Sequence, residues 1–119
     1  AAMGSKVYFA PSQQDSVGVV DTITNTFTQI ATGLSGEYKF CGAAALDHFI
    51  YFAGQGLPDV GVLDTASNTF STISTGGGSY VDALAFESKV YLQPLAQLAS
   101  LRTIGILTIH SAYGTDQIA

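Results

Sequence analysis

Repetition constrains this chain more than any other feature. Residues 17–27, VGVVDTITNTF, return forty-three positions later at 60–70 as VGVLDTASNTF, and a weaker third copy opens at Ile104, Gly105, Ile106 and Leu107. Aligned without a gap, residues 6–32 and 49–75 are identical at thirteen of 27 positions. A repeat with a period of about 20–50 residues marks copies of one supersecondary unit, each burying an apolar face that it cannot bury alone.

The unit reads as short antiparallel strands. Segments 6–10, 17–21 and 26–31 are rich in β-branched and aromatic residues and end at turn-forming residues. They are matched later by 49–53, 60–64 and the residues after Asn68, and later still by 89–93 and 104–109. Asp21 and Asn25, repeated as Asp64 and Asn68, are expected to close a hairpin. Aspartate accepts from the backbone two residues on, and asparagine tolerates a left-handed conformation. The same positions in successive repeats are structural, so Asp21 and Asp64 are not read as catalytic carboxylates. Asp47-His48 and Glu87-Ser88 are expected as tight turns. Gly18, Gly61 and Gly105 sit at strand centres, where glycine is tolerated if something approaches closely; a neighbouring sheet is the expected visitor. Segments 38–46 and 80–86 are dense in small residues and read as the inner strand of each unit. Residues 95–101 form an apolar insertion with the propensity for a single helical turn, and the tail from 110 has no partner in the repeat. No segment sustains helical periodicity, so an α/β fold is not supported.

Apolar residues make up 47% of the 119 and charged residues 11%, too apolar and too weakly charged for disorder. A surface so poor in charge points to partial cover by a partner or by more of the same protein. The net charge of −5 and four scattered bases give no phosphate-tracking patch, which argues against nucleic acid. Cys41 is the single cysteine, so neither an internal disulfide nor a thiolate metal cluster can form. No apolar run reaches the ~18 residues of a membrane helix, and no signal peptide is visible. Residues 1–5 read as a cloning scar, and localisation stays open. No cofactor is expected: there is no phosphate loop, metal-ligand spacing or Asn-X-Ser/Thr sequon, and neither His48 nor His110 is assigned to a catalytic triad.

Units of four meander strands spaced about 40 residues apart are the signature of β-propeller blades. The pattern Lys-Val-Tyr-Phe-Ala followed by Val-Gly-Val-Val-Asp-Thr-Ile-Thr-Asn-Thr-Phe resembles kelch-type repeats and the related Tyr-Val-Thr-Asn-type propeller repeats. Val20 and Phe27, and again Leu63 and Phe70, stand where kelch repeats carry an aromatic residue and a tryptophan. Ala10-Pro11 and Ala53-Gly54 replace the family's Gly-Gly. The resemblance implies an all-β partial propeller over residues 6–119, with blades at about 6–37, 38–79 and 80–119, ligands being met by loops at one end of a central channel. About two and a half blades are counted, the first lacking its inner strand and the last its outer one. A propeller closes with at least four. The exposed faces and edges are therefore expected to be completed by a homo-oligomer, two chains making a pseudo-six-bladed ring or a sandwich of half-propellers, or by further sequence.

Three functions compete. The first is a non-catalytic binding or scaffold module for a protein or glycan, with Tyr38, Lys39, Tyr80, Asp82, Gln13 and Gln55 as candidate contacts. The second is a propeller hydrolase or lyase sited at the channel or a chain–chain interface. The third is a structural repeat of a larger propeller. Tyr38 and Tyr80 are expected at comparable places in successive blades, their rings suited to stacking on a sugar or peptide.

Overall fold

A computed structural model describes residues 1–56, 59–75, 79–94, 105–110 and 114–118, with side chains through Gln93. The described residues are all β and contain no helix; the expected single turn at 95–101 lies outside them. Twelve strands form three four-stranded antiparallel sheets, each in simple meander order. The first holds β1 (Ala2–Met3), β2 (Lys6–Phe9), β3 (Ser16–Asp21) and β4 (Thr26–Ala31). The second holds β5 (Phe40–Leu46), β6 (Phe49–Gly54), β7 (Asp59–Asp64) and β8 (Thr69–Ser74). The third holds β9 (Tyr80–Phe86), β10 (Lys89–Pro94), β11 (Gly105–His110) and β12 (Gly114–Ile118).

Two expectations are corrected. The first sheet does have a first strand: Ala2 pairs with Val7 and Met3 with Lys6, within the stretch read as a scar. The third has a fourth strand, because part of the tail, Gly114–Ile118, pairs with β11. Both were invisible in the repeat because their side chains do not match it. Backbone pairing needs only an open sheet edge.

The shared residues of the repeat each have a local task. Asp21 Oδ1 accepts from the amides of Ile23 at 2.9 Å and Thr24 at 3.3 Å, and Asp64 Oδ1 accepts from Ala66 at 2.9 Å. Asn25 and Asn68 take the left-handed conformation, φ 57° and 58°, as expected at this turn. Thr22 and Thr65 donate from their hydroxyls to the carbonyls of Ser5 and His48, tying the hairpin to the preceding turn. Thr26 and Thr69 share hydroxyl hydrogen bonds with Thr24 and Ser67.

Phe27 and Phe70 explain the strand glycines, and here the expected visitor is corrected. A Cβ on Gly18 would lie 3.0 Å from the Phe27 ring, and one on Gly61 2.8 Å from Phe70 and 3.1 Å from Phe40. The close neighbour is an aromatic ring of the same sheet, not another sheet. The ring restores the apolar cover that a bare glycine lacks.

Packing between sheets follows the alternation of side chains along a strand. Tyr8, Val17 and Val19 on one face of the first sheet meet Phe40, Ile50, Phe52 and Leu63 of the second. The opposite face of the second, with Phe49, Tyr51, Val60 and Val62, meets Ala83, Val90 and Leu92 of the third. The second sheet is thus covered on both sides, and β6 is buried along its whole length. Burial of side chains such as Ile50, Phe52 or Leu63 stabilises by roughly 1.5–3 kcal/mol each. The small residues of β5 serve the approach of β9, since a Cβ on Gly42 would lie 2.5 Å from the Asp82 Cα.

Candidate functional site

The loops joining second to third strands and those entering the next sheet meet at one end of the sheets, and backbone bonds fix them. Lys39 N–H donates to the Ser12 carbonyl at 3.0 Å, joining the first sheet's loop to the entry of the second. At the equivalent place one repeat on, the Ser79 hydroxyl donates to the Gln55 carbonyl. Gln55 and Gly56 amides donate to the carbonyls of Lys39 at 3.0 Å and Tyr38 at 2.5 Å. Gly56 has to be glycine, because a Cβ there would sit on the Tyr38 carbonyl oxygen.

Lys39 is drawn inward. It is only 1% exposed, and its Nζ donates to the Gly36 carbonyl at 2.6 Å and to Asp15 Oδ1 at 3.1 Å. A buried ammonium needs such partners, and the Asp15 carboxylate supplies the opposite charge. The lysine therefore clamps the loop 36–39 onto the first sheet. Tyr38, next to it, does the reverse: its side chain is exposed and its backbone is left-handed, φ 54°. Gln13 is exposed on the loop that carries Ser12, and Gln55 is partly buried.

Tyr80 does not share Tyr38's setting. It pairs with Pro94 as Phe40 pairs with Gly54, so Tyr80 is the counterpart of Phe40 and packs against the core between the second and third sheets. The extra two residues between Tyr38 and the start of pairing, hidden in the sequence, account for the offset.

Asp82 lies elsewhere again, on the outer face of the third sheet. With Ala83, Leu84, Tyr91 and Gln93 it lines an open cleft of about 310 Å³. Its Oδ1 accepts from the Ala83 amide at 2.8 Å. Asp82 is the one carboxylate among those lining residues. Of the six sequence candidates, the structure brings together Tyr38, Lys39, Gln55 and the Gln13 loop, and leaves Tyr80 and Asp82 apart from them.

One pairing escaped the sequence reading. His48 Nε2 stands 3.6 Å from Asp64 Oδ1, and its ring lies over Phe49 with centroids 4.2 Å apart. The register Phe49↔Asp64 carries the signal, since it sets the turn histidine beside the turn aspartate. The first repeat has Ser5 at the histidine position. Among the described residues, no three His, Cys, Asp or Glu side chains converge as metal ligands. No family model and no curated protein matches the chain.

Proposed function

We propose that the chain is a non-catalytic binding or scaffold module whose three sheets are successive blades of a propeller, presenting the loop around Tyr38 to a protein or glycan. One observation carries the reading. Tyr38 holds a large exposed ring on a left-handed backbone, anchored by bonds on both sides. That conformation costs of order 1–3 kcal/mol for a bulky residue, and a ring that is 53% exposed recovers only part of what full burial would supply. Rigid display of an aromatic ring suits stacking on a sugar face or a peptide, and the loop bonded to Lys39 through the Ser12 carbonyl carries the exposed Gln13. Simple meander sheets stacked in chain order support the blade reading.

The test is a glycan array and a displayed-peptide library, each probed with the wild-type chain and with Tyr38→Ala. Binders whose affinity falls about tenfold in the variant, ~1.4 kcal/mol, support the proposal. Empty screens, or binders indifferent to Tyr38→Ala, refute it.

A further inference from the structure

The two sheet-to-sheet interfaces are built from the same repeat positions. Call the front of a sheet the face that meets the next sheet in the chain, and the rear the face that meets the previous one. Tyr8, Val17 and Val19 on the front of the first sheet correspond, forty-three residues on, to Tyr51, Val60 and Val62 on the front of the second. Ile50 and Phe52 on the rear of the second correspond to Val90 and Leu92 on the rear of the third. Front on rear is therefore a rule of this chain, used twice.

Two faces of the same kind have no sheet against them among the described residues. On the rear of the first sheet, Phe9 is 50% and Phe27 60% exposed, whereas Phe52, the counterpart of Phe9, is 0% exposed. On the front of the third sheet, Leu84 and Phe86 are 66% and 63% exposed, and Tyr91 stands beside Leu84 across the strand pair. Their counterparts Ala44 and Leu46 lie in the interface between the second and third sheets. Four of the six large apolar side chains that are exposed among the described residues, Phe9, Phe27, Leu84 and Phe86, thus stand on these two faces.

We propose that the front of the third sheet docks on the rear of the first sheet of a second copy of this chain, repeating the internal interface between molecules. Leu84, Phe86 and Tyr91 of one copy then cover Phe9, Val20 and Phe27 of the other. Such a head-to-tail contact either closes into a ring or propagates. Two copies bring six sheets together, within the usual range of about four to eight for a closed propeller; this copy number rests on the blade reading, whereas the pairing of faces does not.

Light scattering behind size exclusion at micromolar concentration is expected to give the mass of two chains. Phe9→Glu and Leu84→Glu each damage one half of the contact and should each give single chains. Mixing the two variants leaves one intact pair of faces, so a two-chain species should return, which rear-to-rear or front-to-front pairing would not allow. Should either variant fail to fold by circular dichroism, hydroxyl-radical footprinting of the wild type serves instead. Phe9, Phe27, Leu84 and Phe86 should lose reactivity as concentration rises, while Ile23, exposed at a turn tip, should not. A single-chain mass for the wild type, or an assembly indifferent to both substitutions and to the mixture, overturns the proposal.

Discussion

Phe27 and Phe70 occupy the same place in the repeat, follow the same turn and cover the same glycine, yet their surroundings differ. Phe70 is partly buried and stacks edge-on with Phe40 at 5.8 Å and against Phe52 at 6.2 Å, whereas Phe27 is largely exposed. Short-range sequence therefore sets the hairpin, and the neighbouring sheet sets the burial. The two sheets offer a natural experiment, because one substitution can be made twice, with and without a covering neighbour.

The largest contrast is expected at Phe52 and Phe9. Phe52→Ala should cost about 3–5 kcal/mol, as for a buried aromatic ring, and Phe9→Ala less than about 1 kcal/mol in dilute protein, both read by urea unfolding. If the second copy docks as proposed, the Phe9 cost grows with protein concentration.

Next come the glycines. Gly61→Ala forces a methyl between the Phe70 and Phe40 rings and should cost about 1–3 kcal/mol. Gly18→Ala is crowded by the Phe27 ring, which can swing into solvent, while Phe9 stands at an ordinary 3.7 Å, so its cost should be clearly smaller in the same unfolding assay.

Tyr51 marks the covered interface by its ionisation. Burial, with the nearby Asp47 carboxylate, pushes its phenol up to about 12 from 10.0. A raised folded pKa means that the stabilisation is complete below pH 10 and is lost as pH climbs toward 12. Two units amount to roughly 2–3 kcal/mol at most. Tyr51→Phe should flatten that part of the alkaline stability curve, as measured by unfolding from pH 9 to 12 relative to wild type.

The smallest and most even effect belongs to the turns. Asp21→Ala and Asp64→Ala each remove a carboxylate that accepts backbone amides, at about 1 kcal/mol apiece. Near-equal melting shifts would show that the hairpins are locally determined; unequal ones would give His48 a share at Asp64.

Legibility in the sequence divides along the same line. The hairpins could be read from Asp21, Asn25, Asp64 and Asn68, whose side chains act on backbone two to four residues away. The all-β class followed from short segments rich in β-branched and aromatic residues and bounded by turn residues, such as 6–10 and 17–21. The glycine–phenylalanine contact was not legible, because Phe27 and Phe70 reach Gly18 and Gly61 diagonally across the strand pair, through a register that residue type does not reveal. Lys39 could not be placed, since its ion-pair partner Asp15 lies 24 residues away and belongs to another sheet. Tyr80 resembles Tyr38 in residue type, but pairing register makes it the counterpart of Phe40. In the candidate site, the loop location was legible; the burial of Lys39 and the backbone conformation of Tyr38 were not, because both depend on contacts between sheets.

The central claim is that the sheets stack in chain order, front on rear, with β5 close against β9. Cys41 lies on β5 and is the chain's single cysteine, so a nitroxide can be attached there without other substitutions. Paramagnetic relaxation should then erase the amide signals of Asp82 and Ala83 on the third sheet while leaving those of Ile23 and Thr24 intact. Broadening confined to the second sheet, with Asp82 and Ala83 unaffected, would contradict the stacking on which the account stands.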